Sequence, residues 1–181
     1  MVKAKKFIGI GGSPRRGNSE WMLTTLGAKL TQLGADVEIL LLRKMDNKMC
    51  RGCLACEKGG KERQGDCAIK DGMAAIYPKL LAADAIVLAT PGYMGMLSGL
   101  LKNFLDRTCA VWPRLAGKRL AGLAVAEEDT FQTMDNLKSY GKLLKMRWVG
   151  GVKALAKNPT DASRIHGLEK RLKQLAKKIA G

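Results

Sequence analysis

The sequence lacks any long hydrophobic run, and this absence limits where the protein can reside. The longest apolar runs, such as "AIVLA" (85–89) and "VEILLL" (37–42), are far too short to span a bilayer. The basic start of the chain leads after a few apolar residues into a glycine turn, which predicts a first strand there and not a signal peptide. We therefore expect a cytoplasmic protein.

Histidine and aromatic residues are scarce. The single histidine, His166, falls in the last amphipathic stretch with no nucleophile placed beside it, which disfavours a Ser–His–Asp triad or a histidine metal site. Aromatic residues make up 5% of the chain and do not alternate with basic residues. Single-stranded nucleic acid is bound by such stacking groups, so the sequence disfavours nucleic acid as a partner.

Acidic residues are also few: 16 stand against 32 basic residues, and the net charge is +16. This balance suits nucleic acid, anionic lipid, acidic proteins or phosphorylated small molecules as partners, and it does not choose between them. The hydrophobic content of 46% over 181 residues is enough to bury a substantial core. We expect one domain over residues 1–181, with a cysteine-rich loop at about 46–71.

Short apolar runs alternate with helical patterns along the chain. The runs at 5–10, 37–42, 85–90, 119–126 and 148–156 predict five strands. Such alternation predicts an α/β fold with right-handed crossovers, a parallel sheet and helices on both of its faces. Ligands of such sheets bind at the carboxyl ends of the strands, so the loops after the first, third and fourth strands are the candidate sites.

The first of these loops, "GGSPRRGNS" (11–19), predicts an anion site, because it combines hydrogen-bond donors and arginines with a helix start, for which Ser19 is the expected cap. Asn18 stands where a nucleotide-hydrolysing P-loop has its lysine, and Pro14 interrupts the dinucleotide fingerprint. The loop therefore suits one terminal phosphate, as in a mononucleotide. A plain strand-to-helix turn is the alternative.

Four of the five cysteines fall in "MCRGCLACEKGGKERQGDC" (49–67): Cys50, Cys53, Cys56 and Cys67. Thiols at every third position favour a cubane iron–sulfur cluster over structural zinc, which usually takes two separated pairs. Reduced structural thiols or a redox dithiol remain open alternatives. Cys109 lies in an apolar helical pattern, which predicts a buried small residue.

The loops "GGSPRRGNS" (11–19) and "PGYMGMLSGLLKNFLDR" (91–107), with the cysteine run between them, resemble the flavodoxin-like NADPH-dependent FMN reductases, in particular the iron–sulfur flavoproteins. The resemblance covers roughly residues 5–110. It implies a flavodoxin-like three-layer sandwich, in which a five-stranded parallel sheet of the order 2-1-3-4-5 has helices on both faces. It implies that the first loop binds the FMN phosphate and that the second passes beside the flavin ring. The FMN-binding residues implied are Ser13, Arg15, Asn18, Ser19, Pro91, Gly92, Tyr93, Met94 and Gly95.

The resemblance also implies a four-iron four-sulfur cluster on Cys50, Cys53, Cys56 and Cys67. Two features depart from the family's pattern. Ten residues separate Cys56 from Cys67, and the third loop, "AEEDTF" (126–131), has three carboxylates and no glycine. Acidic groups near a flavin ring would disfavour its reduced anion.

These observations predict an FMN-binding electron-transfer oxidoreductase in which the flavin carries the chemistry, so no catalytic side chain is required. The expected partners are NAD(P)H or a redox protein such as ferredoxin, and the resemblance implies a homodimer or homotetramer. A cluster-free NAD(P)H-dependent FMN, quinone or nitroaromatic reductase is the second reading. A basic module that binds polyanions is the third.

Overall fold

The computed structural model describes residues 4–58, 61 and 67–181. Its strands are β1 (Lys6–Gly11), β2 (Asp36–Leu41), β3 (Ala85–Tyr93), β4 (Met96–Leu97), β5 (Arg119–Ala126) and β6 (Arg147–Leu155). Five of them form a parallel sheet in the order β2-β1-β3-β5-β6, and the short β4 pairs antiparallel with the end of β3. The predicted five-stranded order is confirmed, and β4 is an addition to it.

The helices cover both faces of this sheet. They are α1 (Asn18–Gln32), α2 (Met73–Ala82), α3 (Gly99–Arg107), α4 (Phe131–Leu143) and α5 (Leu168–Ala180). Apolar residues of α1 and α5 form one buried core with the sheet, and those of α2, α3 and α4 form another. In the described part of the chain, none of the helices has the length and apolar character needed to cross a membrane.

The centre of the sheet is buried on both sides. The first six residues of β3 are all buried, as expected for a parallel strand with helices on each face. The order of the strands reverses between β1 and β3, because the chain moves outward to β2 and then returns past β1. This switch point lies at the carboxyl ends of β1 and β3, where open α/β sheets bind their ligands.

Candidate functional site

The loop after β1 is shaped by its own serine. The Ser13 hydroxyl donates to the Arg15 carbonyl oxygen (2.6 Å) and accepts from the Arg15 backbone N–H (3.2 Å). Arg15 and Arg16 are exposed, and neither forms an ion pair with any residue that the structure describes. The loop therefore keeps two cationic side chains beside the first turn of α1, whose N–H groups attract anions.

The start of α1 differs from the prediction. The helix begins at Asn18 with Gly17 in the capping position, so the prediction of Ser19 as the cap is wrong. Asn18 is nearly buried, and its side chain donates to the Asn158 carbonyl oxygen (2.7 Å) and accepts from the Ala162 N–H (3.0 Å). These two bonds tie the first loop to the segment after β6, so what Asn18 can offer a phosphate is its backbone N–H.

The loop after β3 is a β-hairpin. Gly92 pairs with Leu97 and Tyr93 with Met96, and the two central residues, Met94 and Gly95, both have positive φ (50° and 75°). Two positive values define the type I′ turn, whose twist matches that of the flanking strands. The hairpin presents Tyr93 (40% exposed) and Met94 (99% exposed), which gives an aromatic and an apolar surface beside the strand ends.

Ser98 joins the first two loops. It is buried, caps α3 by accepting from the Leu101 N–H (3.1 Å), and donates its hydroxyl to the Gly12 carbonyl oxygen (2.5 Å). Its own N–H donates to the Thr90 hydroxyl (3.2 Å). The sequence analysis did not select Ser98, although a serine directly before a helical pattern is the signal of a cap.

The loop after β5 uses two of its three carboxylates within the protein. Glu127 forms an ion pair with Lys157 (2.5 Å), which raises the pKa of that lysine. Asp129 accepts from the Phe131 N–H (2.8 Å) at the start of α4, while Thr130 makes no side-chain capping bond. Because Lys157 offsets the charge of Glu127, one of the three negative charges of this loop is neutralised within the protein.

The cysteines line a common cavity of about 390 Å³. Cys50 and Cys53 are exposed, and Cys56 and Cys67 are half-buried. In the described residues, no three histidine, cysteine or carboxylate side chains are grouped closely enough to hold a single metal ion. Cysteine thiolates are the donor type that holds iron–sulfur clusters, so the side chains that line this cavity fit such a group in donor type.

Cys109 differs from its prediction as a buried small residue. It is half-buried, lies in the short 3-10 turn after α3 and lines the cysteine cavity. Burial of Cys56 raises the pKa of its thiol to about 11, and a hydrogen bond and charge interaction with Cys109 add to that effect. The metal-free site thus favours a protonated Cys56, whose proton must leave when a metal binds.

Two polar residues of α3, Asn103 and Arg107, were not predicted from the sequence as part of the cysteine site. Asn103 donates to the Asn47 and Lys48 carbonyl oxygens (both 3.3 Å) and accepts from the Cys50 N–H (2.9 Å). Arg107, one turn further along α3, forms a buried ion pair with Asp71 (2.8 Å). Their spacing of four residues on a helix was the available signal, since it places both side chains on one face.

Asp71 is ionised in this setting. Burial opposes the charged form, but hydrogen bonds from Arg107 and from the Lys48 and Met73 N–H groups outweigh it and lower the pKa of the carboxyl. The carboxylate therefore bridges the segments on either side of the cysteine run.

Comparison with known families identifies a clear relationship. The family model described as NADPH-dependent FMN reductase matches residues 5–160. A protein from Archaeoglobus fulgidus named iron–sulfur flavoprotein is 38% identical over 103 residues, which are 57% of this chain and 48% of that protein. An iron–sulfur flavoprotein from Methanocaldococcus jannaschii is 32% identical over 124 residues, which are 67% of this chain and 60% of that protein. The chain thus spans about half to three-fifths of the length of these relatives.

Solved structures agree on the fold. The RosB structure with a bound riboflavin-phosphate derivative has a TM-score of 0.78 at 14% identity and covers 98% of this chain and 78% of RosB. An archaeal flavodoxin has a TM-score of 0.67 at 15% identity, and the match covers 97% of this chain and 96% of the flavodoxin. Identities this low establish the flavodoxin-like fold alone.

Proposed function

Since the chain belongs to the NADPH-dependent FMN reductase family, we propose that it is an FMN-binding electron-transfer oxidoreductase with an iron–sulfur cluster on its cysteine loop. The observation that carries this proposal is the cavity that Cys50, Cys53, Cys56 and Cys67 line together. The relatives named iron–sulfur flavoproteins support the same conclusion. When bound, FMN would take up two electrons and release them singly, and a cluster would carry one electron at a time.

The loops at the switch point would hold FMN. Ser13, Arg15 and Ser19, with the Asn18 backbone N–H, would bind the phosphate, because they surround the positive end of α1. The hairpin Pro91–Gly95 would lie against the flavin ring, with Tyr93 as an exposed aromatic surface. Ser98 would keep the two loops in register, since its hydroxyl bonds to Gly12.

The two sites lie at opposite ends of α3, whose nine residues make it about 13 Å long. An oligomer could bring the cysteine site of one copy closer to the flavin of another, and we propose a homodimer or homotetramer. NAD(P)H or an acidic redox protein such as ferredoxin would supply or accept electrons, and the net charge of +16 suits either. The reduced thiols of Cys50, Cys53, Cys56 and Cys67 also fit the proposed cytoplasmic location, where thiols stay reduced.

Anaerobic purification followed by visible spectroscopy and assays of iron and sulfide tests the proposal. The protein should show flavin bands and about four irons per chain. Cys50→Ser, Cys53→Ser, Cys56→Ser and Cys67→Ser should each lose iron but keep FMN, because the flavin loops are separate from the cysteine cavity. Cys109→Ser is the matched control, since it removes a thiol that lines the same cavity, and it should keep its iron.

Each contrary result has a definite meaning. Iron loss in Cys109→Ser with full retention in Cys67→Ser would make Cys109 the fourth ligand. Flavin bands without iron in the unaltered protein would remove the cluster, and steady-state NADPH oxidation would then identify a cluster-free reductase. No bound flavin after reconstitution would overturn the main proposal.

A further inference from the structure

Arg107 is the largest fully buried side chain of the described residues. A buried guanidinium is costly unless its N–H groups find acceptors. One terminal nitrogen donates to Asp71 Oδ2 (2.8 Å) and the Lys48 carbonyl oxygen (2.7 Å). The other donates to Asp71 Oδ1 (2.8 Å) and the Ile69 carbonyl oxygen (3.4 Å). The arginine therefore forms a fork-like pair with Asp71 and two backbone bonds.

These partners stand on both sides of the cysteine segment. Lys48 comes two residues before Cys50, and Ile69 comes two residues after Cys67. Asp71 completes the closure, because it also accepts from the Lys48 N–H (2.8 Å). A single side chain of α3 thus connects the two ends of the loop, which reduces the conformational freedom of the thiols before any metal binds.

One donor of Arg107 has no acceptor. Its Nε is buried and without a hydrogen-bond partner among the described residues, while the side chain lines the cysteine cavity together with Cys56 and Cys67. Buried donors are nearly always paired, so an unpaired one on a side chain that lines the cavity suggests an acceptor that the described residues do not include. The sulfur atoms of a metal cluster and its thiolates accept such bonds.

We propose that Arg107 is the positioning residue of the cysteine site: it fixes both ends of the cysteine loop and directs a positive charge and the Nε–H toward the sulfur atoms held there. The second part rests on the proposed function, because it needs the cluster. Hydrogen bonds and positive charge favour the more electron-rich state of a cluster and so raise its reduction potential. Arg107 would therefore set both the affinity for iron and the potential.

Three variants test the proposal. Arg107→Gln removes the charge, Arg107→Lys keeps the charge but loses the fork, and Asn103→Ala removes loop bonds without touching the ion pair. The matched control is Arg43→Gln, which breaks another arginine–carboxylate pair, with Glu20 (2.9 Å), outside the cysteine cavity. Circular dichroism establishes that each variant is folded before it is compared.

Hydrogen exchange of the iron-free protein measures how well Arg107 holds the ends of the cysteine loop. In Arg107→Gln, amide exchange should be on the order of tenfold faster at Lys48, Cys50 and Met73. The hydrogen bonds of these amides depend on the connection that Arg107 and Asp71 make between the two ends of the cysteine loop. Asn103→Ala should accelerate Cys50 alone. Unchanged exchange in Arg107→Gln would overturn the anchoring role, and this result does not depend on whether a cluster binds.

Iron affinity and the reduction potential of the cluster are measured on the reconstituted protein. Iron affinity should fall about 10–100-fold in Arg107→Gln, as is typical for groups that support metal ligands. Its reduction potential should become more negative, while Arg107→Lys should keep a potential close to that of the unaltered protein but share the weaker iron affinity. Equal potentials in Arg107→Gln and Arg43→Gln would refute the electrostatic role. If Arg107→Gln fails to fold, Arg107→Lys decides, and unchanged exchange and iron affinity would refute the proposal.

Discussion

At the scale of single residues, the Arg107–Asp71 pair carries the greatest energetic weight near the cysteine site. Both side chains are almost completely buried, with 1% and 0% of their surfaces exposed. Such pairs are costly to assemble, but removing one partner leaves an uncompensated buried charge. The connection between the two ends of the cysteine loop, here called the loop base (Lys48, Ile69, Asp71 and Arg107), therefore depends on the ionised state of Asp71.

Asp71→Asn should lower the free energy of unfolding at pH 7 by about 3–5 kcal/mol. The pKa of Asp71 is depressed below its ordinary value of 3.8, so its contribution is complete above that pH and is lost as the pH falls through the folded-state value. The difference between the two proteins should narrow below about pH 3.8. Urea denaturation at several pH values measures it.

The control for this experiment is Asp106→Asn, because Asp106 pairs with Lys102 on the exposed face of α3. Exposed pairs of this kind contribute well under 1 kcal/mol, or about 0.3–0.5 kcal/mol when four residues apart on a helix. A loss in Asp71→Asn no larger than that of Asp106→Asn would show that the buried pair does not stabilise the loop base.

At the scale of elements, α3 connects the two candidate sites. Its first turn is capped by Ser98, which also bonds to the first loop, and its last turn carries Arg107 at the cysteine loop. Nine residues thus set the position of the flavin loops relative to the cysteines. A change at the start of the helix should affect FMN more than iron.

Ser98→Ala should lower the free energy of unfolding by about 1–2 kcal/mol, because the helix loses its cap. It should also weaken FMN binding, since the link to the Gly12 carbonyl oxygen is lost. Flavin fluorescence quenching measures the affinity. Thr31→Ala removes a hydroxyl bond to the Gly27 carbonyl oxygen (3.2 Å) in the last turns of α1, away from the phosphate loop, and is the control. Equal FMN affinity in the two variants would argue against a role of Ser98 in binding.

At the scale of the whole molecule, an apolar groove of about 820 Å³ runs between α3 and α4. The hairpin residues Met96 and Leu97 line it, and Cys109 and Asp106 line both the groove and the cysteine cavity. The exposed Met96 (57%) and Leu143 (73%) add apolar surface. A second copy of the chain seated here would touch both candidate sites, which is the arrangement that the proposed oligomer requires.

Leu143→Glu should therefore reduce the molecular mass in solution, because a buried interface does not accommodate an unpaired charge. Light scattering after size exclusion measures the mass. Leu33→Glu is the matched control: Leu33 is 48% exposed, lies directly after α1 and is not among the residues that line the groove. An unaltered protein that is monomeric, or a Leu143→Glu variant of unchanged mass, would contradict the proposed interface.

The sequence by itself determined the parallel sheet and the loops that carry the sites. These follow from local periodicity and from the chirality of crossover connections, which act over a few neighbouring residues or constrain any chain of this pattern. The order of the strands was predicted from the family resemblance. The motifs in the first and second loops and the cysteine run were equally visible, because their residues are close in sequence. The family match over residues 5–160 confirms the relationship that these motifs predicted.

Only the tertiary structure decided how side chains distant in sequence meet. Cys109 lines the same cavity as Cys56, although it lies 53 residues further along the chain. The Asn18 side chain accepts from the Ala162 N–H, and Arg107 donates to the Lys48 and Ile69 carbonyl oxygens on either side of the cysteine run. A residue's own segment predicts its burial and backbone, but its hydrogen-bond partners depend on packing between elements. The stretch that holds the cysteines was therefore readable from the sequence, whereas the arginine that positions it was not.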